Sequence, residues 1–235
     1  MKALITGANR GIGLEFVRQL IMRDAHVFAA CRNPSKAGQL LKLQEDSPQQ
    51  ISIIKLDVTD DKSLSDSHNL VSSKTNGLDL LVNNAAVSPV DKGLGTFDSS
   101  TIKSILAVNT VAPILVIQQF AQLLKKGEHP RIVNISSGLG SLNKASESST
   151  KKYASIYSSS KAALNMSTIQ MAHELADHKI IVVSITPGWV KTDMGGPNAD
   201  IDTNESVSGM LQVIDYIQLE DTGRFYDYTG KTIPW

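Results

Sequence analysis

The chain has 235 residues, 41% of them hydrophobic, and its 23 Lys and Arg balance 23 Asp and Glu for a formal net charge of +0. That length and apolar content suit one two-faced core, and the neutral balance argues against a nucleic-acid or membrane-surface partner. One cysteine, Cys31, rules out an internal disulfide framework and fits a reducing, cytoplasmic address; the chain opens on a strand-like run with no signal peptide, and no uninterrupted apolar stretch reaches the ~18 residues of a membrane span.

In chain order, Met1 to Thr6 is a short apolar run that reads as a strand. It feeds Gly7-Ala8-Asn9-Arg10-Gly11-Ile12-Gly13 and then an amphipathic stretch, Leu14 to Met22, so the order is strand, glycine-rich turn, helix. Glycines permit a sharp turn and the close approach of a ligand. The start of the following helix offers free N–H groups and a positive dipole end to a pyrophosphate. The spacing is Thr-Gly-x-x-x-Gly-x-Gly, not the G-x-G-x-x-G dinucleotide fingerprint. The next run, His26 to Ala30, ends in Cys31-Arg32-Asn33, without the acid that holds a ribose 2′-hydroxyl in NAD-preferring sites. Arg32 is placed to fork a 2′-phosphate and Arg10 to stack nearby, which predicts NADP(H) over NAD(H). Cys31, between an apolar strand and Arg32, reads as a buried structural thiol.

Further apolar runs follow at Ile51 to Leu56, Leu78 to Val82, Arg131 to Ile135 and Ile180 to Ile185, with a seventh strand near Phe225 to Tyr228. They are continuous, not alternating, as strands buried on both faces of a parallel sheet should be, and the periodic segments between them read as crossover helices. The fold class is therefore α/β, a doubly wound parallel sheet in a single domain, 1–235. Within one of these segments stands Tyr157-Ser158-Ser159-Ser160-Lys161. Residues four apart share a helix face, and an ammonium beside a phenol favours the phenolate, bringing the proton within reach of neutral-pH chemistry. Carbonyl reduction or alcohol oxidation needs such a proton as a hydride moves.

Together these residues resemble the short-chain dehydrogenase/reductase family, over essentially the whole chain and in the right order. Thr6 to Gly13 matches that family's glycine motif, Asp57-Val58 its adenine-contacting pair, and Asn83-Asn84-Ala85-Ala86 its Asn-Asn-Ala-Gly motif with Ala86 in place of the last Gly. Asn109 matches its structural and catalytic Asn, Ser137 its catalytic Ser, and Tyr157 and Lys161 its Tyr and Lys. Pro187-Gly188, with Val190 and Thr192 beyond, matches the segment that holds the nicotinamide amide. The resemblance implies a Rossmann fold of about seven strands in the order 3-2-1-4-5-6-7. It also implies dinucleotide contacts through Gly7, Asn9, Arg10, Gly11, Ile12, Gly13, Arg32, Asp57, Val58, Asn83, Ala85, Tyr157, Lys161, Pro187, Gly188, Val190 and Thr192. Tyr157 is then the proton donor, Lys161 the group that lowers the phenol's pKa, Ser137 a hydrogen-bond donor to the substrate oxygen, and Asn109 the holder of a water. Relatives are commonly homodimers or homotetramers, with a small carbonyl compound as substrate.

Two features depart from the family pattern. Twenty positions separate Ser137 from Tyr157, and the polar stretch Gly138 to Ile156 reads as a mobile loop at the pocket rim. The C-terminal Gly223 to Tyr228 and Ile233-Pro234-Trp235, with Ser137 to Ser141, look like the Sniffer-type carbonyl reductases and bacterial C-factor proteins. That subfamily implies NADPH-dependent carbonyl reduction; the alternatives are a signalling protein that keeps a nucleotide site, or a ketoacyl-type reductase. Tyr153 is assigned to the pocket wall or the surface, and the Gly- and Asp-rich Thr192 to Asn204 to a substrate cover or a surface connection. The five histidines suggest no metal site, since His173 and His178 are five apart and do not share a helix face.

Overall fold

The computed structural model describes residues 1–88, 95, 97–147 and 155–235. Seven strands, β1 (Lys2–Thr6), β2 (His26–Cys31), β3 (Ile51–Lys55), β4 (Leu80–Asn83), β5 (Arg131–Ile135), β6 (Ile181–Thr186) and β7 (Phe225–Asp227), form one sheet in the order β3-β2-β1-β4-β5-β6-β7. Every neighbouring pair is parallel, as crossover connections require. Alternate residues of a strand serve opposite faces. Ala3 and Ile5 of β1, and Val27 and Ala29 of β2, join one core with α1 (Gly11–Ile21), α2 (Gly38–Asp46) and α8 (Thr203–Tyr216). Leu4, Phe28 and Ala30 join the other, with α3 (Asp61–Ser72), α5 (Ala112–Leu124) and α7 (Ser155–Leu175). Burial on both faces is why the strands carry continuous apolar runs.

The first helix begins at Gly11, inside the glycine turn, three residues before the apolar periodicity starts. Gly11 to Gly13 therefore belong to the helix N-terminus. Helix α4 (Ser99–Leu106) runs through a π-helical turn, Ala107–Val111, into α5. The joined helix, Ser99–Leu124, reaches a mean hydropathy of 1.7 in a membrane-length window despite its interspersed polar residues, which corrects the expectation drawn from uninterrupted runs. Its inner face is core: Val116, Ile117, Phe120 and Leu124 pack onto the sheet. The stretch expected to be a mobile loop instead holds a short helix, α6 (Leu142–Glu147), while Tyr153 lies outside the described residues. Thr192 to Asn204 is tied down, with Gly195 N–H donating to Thr192 Oγ1 and the Trp189 indole N–H donating to the Gly195 carbonyl.

Candidate active site

The glycine turn is a cradle shaped by close backbone approach. Gly7 (φ 65) and Gly11 (φ 53) lie in the left-handed region that glycine enters freely. A Cβ added at Gly13 would lie 2.3 Å from the Gly7 carbonyl oxygen and 2.6 Å from the Asn84 amide nitrogen, so Gly13 lets the first helix seat against the turn. Asn84 Nδ2 donates to the carbonyls of Thr6 (2.9 Å) and Gly7 (3.2 Å), and Thr6 Oγ1 accepts from the N–H groups of Asn84 and Ala85. The end of β1 and the end of β4 are thus stitched together beneath the cradle.

Above it opens a cavity of about 580 Å³ at the carboxyl ends of the strands, as expected at a topological switch point. Its walls include Gly7, Asn9, Arg10, Gly11 and Ile12 of the glycine turn, and Pro187 and Thr192 from the segment after β6. Arg32, Asp57, Val58 and Ala85, at the ends of β2, β3 and β4, and Tyr157 and Lys161 of α7 complete the lining. Burial pushes the Asp57 carboxyl up, but hydrogen bonds from Thr59 and the nearby Arg32 charge outweigh it and hold the group below its ordinary value. Arg10 Nη1 pairs with Asp193 Oδ2 at 2.7 Å, joining the glycine turn to the loop after β6, and both groups are well exposed. Cys31 lines the cavity but is buried, and burial raises its thiol pKa, so it is poorly nucleophilic. The open-backbone cradle at a helix N-terminus, with two guanidinium groups beside it, fits a phosphorylated dinucleotide.

Tyr157 and Lys161 are neighbours on α7, with the ammonium over the phenol ring and its hydrogen bond made elsewhere. Lys161 Nζ donates to the Ile135 carbonyl at 2.7 Å and lies 5.8 Å from the centre of the Tyr157 ring. With the amine held there, burial dominates and raises the Tyr157 pKa, and a hydrogen bond with Ser137 only partly offsets it. Burial likewise pushes the Lys161 ammonium down to about 8. Asn109 is fully buried. Its Oδ1 accepts from Val87 N–H at 2.9 Å, and its Nδ2 donates to the Val87 carbonyl and to Ser160 Oγ. The Asn109 side chain is therefore a clamp between the π turn, the segment after β4 and α7, with both amide hydrogens used and one lone pair of Oδ1 engaged.

The fold agrees with what the comparisons find. The family model for short chain dehydrogenases matches residues 1–202. The chain belongs to the short-chain dehydrogenase family. Among relatives of this oxidoreductase family, it is 39% identical to the C-signal protein of Myxococcus xanthus over 161 residues, covering 68% of this chain and 95% of that protein. The NADPH-bound carbonyl reductase from chicken fatty liver superposes with a TM-score of 0.94 at 37% identity, covering 100% of this chain and 98% of that one. The carbonyl reductase Sniffer of D. melanogaster superposes with a TM-score of 0.93 at 32% identity, covering 100% and 99%.

Within this family member, four residues expected to touch the dinucleotide do not line the cavity. Gly13 serves helix seating, and Asn83 is buried in the sheet, donating to Asn134 Oδ1 at 2.8 Å. Gly188 (φ 83) bends the chain where a Cβ would meet Ile201 and Tyr228, and Val190 is buried in a bridge to Ile201. Ser137 and Asn109 are also outside the lining set; Ser137 is half-buried and acts on the phenol, and Asn109 is held to Ser160 of α7. Sequence reasoning missed Asn165, which accepts from Ser136 Oγ at 2.6 Å and donates to the Gly140 carbonyl at 3.2 Å. The available signal was position: Asn165 follows Lys161 by four residues and so shares its helix face.

Proposed function

We propose that this chain is an NADP(H)-dependent carbonyl reductase that converts an aldehyde or ketone into an alcohol. The observation that carries the reading is one cavity lined both by the glycine cradle and by Tyr157 and Lys161, with Ser137 near enough to the phenol to oppose the rise in its pKa. The dinucleotide choice is supported by Arg32 and Arg10 on the walls, by the lack of an acid directly after β2, and by the NADPH carried by the chicken carbonyl reductase. Gly7, Asn9, Gly11 and Ile12 would hold its pyrophosphate, Asp57 and Val58 its adenine, and Pro187 and Thr192 its nicotinamide amide. The bound reduced nicotinamide supplies a hydride. The protein supplies the rest. Tyr157 Oη gives its proton to the carbonyl oxygen as negative charge develops there, and Ser137 Oγ donates a hydrogen bond to the same oxygen. A protonated Lys161 near the phenol eases the loss of that proton.

NADPH oxidation with a panel of aldehydes, ketones and diketones tests this, with NADH in parallel. Tyr157→Phe is expected to lose roughly 10²- to 10⁴-fold in kcat, the range for one acid–base group, and Arg32→Asp to shift preference toward NADH. Undiminished turnover by the phenylalanine variant would overturn the acid assignment. A second reading, a C-factor-like signalling protein that keeps a nucleotide site, is favoured by the identity to C-signal; tight NADPH binding with no carbonyl reduced would support it.

A further inference from the structure

Two segments set apart by sequence, Ser137 to Ser141 and Ile233 to Trp235, meet in the fold. Ser141 is 1% exposed and is the point of contact. Its hydroxyl donates to the Pro234 carbonyl at 2.6 Å, lies 3.2 Å from the Trp235 carbonyl, and accepts from Lys144 N–H at 3.1 Å as the cap of α6. Asn143 N–H donates to the Trp235 carbonyl at 2.9 Å. The tail is in turn fixed to the sheet. Ile233 N–H donates to the Phe225 carbonyl at 2.7 Å, Thr232 bridges Tyr226, and the Trp235 indole stacks on buried Phe225 at 5.4 Å and 18°.

From Ser141 the arc leads directly back to Ser137. Gly140 N–H donates to the Ser137 carbonyl at 2.8 Å and Leu139 N–H to Ser137 Oγ at 3.2 Å. The arc also lies hard against the helix of Lys161, where a Cβ on Gly140 would sit 2.8 Å from the Lys161 carbonyl carbon. At the Ser137 end, β6 holds it through Ser136 N–H to the Ile185 carbonyl and Gly138 N–H to Thr186 Oγ1. The other end is held by Asn165 and by the tail.

We propose that residues 232–235 act as a strap which, through the buried Ser141 hydroxyl, sets the position of Ser137 against Tyr157. Ser141 and Trp235 are positioning residues: neither lines the cavity, and each acts through the arc. The proposal rests on the carbonyl-reductase reading for its effect on rate, because a reacting geometry is sensitive to shifts of about 1 Å.

The test compares wild type with Trp235→Ala, Trp235→Phe and Ser141→Ala by two readouts. The first is kcat and KM for a carbonyl substrate beside NADPH affinity by fluorescence titration. The strap predicts kcat/KM lower by roughly 10- to 100-fold in the two alanine variants, from misplacement of a reacting group, with NADPH affinity unchanged and Trp235→Phe restoring most of the rate. The second is amide hydrogen exchange, which needs no substrate. Exchange should accelerate at Leu139, Gly140 and Lys144 in the alanine variants, and stay as in wild type at Val182 and Val183 in β6. A lowered melting temperature with kcat/KM and arc exchange unchanged would overturn the strap and leave the tail a merely structural element. If no carbonyl is reduced even by wild type, the reductase reading fails and exchange alone decides the strap. If Trp235→Ala does not fold, Ser141→Ala decides it by both readouts.

Discussion

Lys161 is 2% exposed, and among the described residues no ion pair includes it. Its ammonium donates to a neutral carbonyl, and burial sets its pKa near 8, below the ordinary lysine value of 10.5. Between those two values the folded chain has released a proton that the unfolded chain still holds. The unfolded state then binds more protons, so stability rises with pH across that window. Below about pH 8 both states are protonated and the burial penalty is constant. Tyr157 has the opposite sign: its raised pKa means the unfolded phenol ionises first, which erodes stability only above pH 10. The raised Cys31 thiol acts in the same opposing sense above its ordinary value of 9.0, so the urea midpoint of the ligand-free protein should climb between about pH 8 and 9, and Lys161→Met should flatten that climb. An unchanged slope in the variant would show that another group is responsible. Spacing made Tyr157 and Lys161 legible as a pair on one face. What it could not supply was the competing acceptor, the Ile135 carbonyl, which comes from a strand 26 residues earlier. Asn109 was likewise findable, but its clamp on Val87 and Ser160 joins three segments that only the fold brings together.

Among the elements, the first strand, turn and helix show how glycine placement decides local packing. Gly13 faces backbone at 2.3 Å, whereas Gly38, in the first turn of α2, has nothing within 4 Å of an added Cβ and no positive φ. Gly13→Ala should destabilise the protein by about 1–3 kcal/mol through overpacking and weaken dinucleotide binding. Gly38→Ala should stabilise it by about 0.4–1 kcal/mol by restricting the unfolded chain. Denaturant titration of both variants checks the contrast, and equal effects would mean the turn relaxes around the new methyl group. Strand existence was readable because burial on both faces leaves an apolar run; strand ends were not, because apolarity marks burial and not pairing. Leu78 is fully buried, yet its N–H donates to the Leu123 carbonyl, so β4 begins at Leu80 and extends to polar Asn83. The polar interior behind the site was harder still. Asn134, Thr168 and Ser184 form a buried chain of hydrogen bonds between β5, α7 and β6, and nothing in a local pattern marks them.

For the molecule as a whole, the outer side of the Ser99–Leu124 helix is an apolar surface left open. Only 33% of its most apolar window is buried, and Val111 remains 47% exposed. Met166, on the neighbouring α7, is 57% exposed. We propose that these two helices pair with a second copy in a homodimer or homotetramer. Val111→Asp with Met166→Asp should then lower the mass measured by sedimentation, and an unchanged mass would place the interface elsewhere. Near the start of the Ser99–Leu124 helix, the cleft closes on itself where Arg10 of the glycine turn meets Asp193 of the loop after β6, while Thr192 lies 3.4 Å from where a Cβ on Gly11 would stand. With Arg10 as a phosphate partner, cofactor entry is an exchange of anions: a phosphate takes the place of a carboxylate the protein already carries. The share of the affinity that Arg10 would supply is then only the difference between two partners for one exposed guanidinium, and the same internal carboxylate would stand ready to replace a departing phosphate.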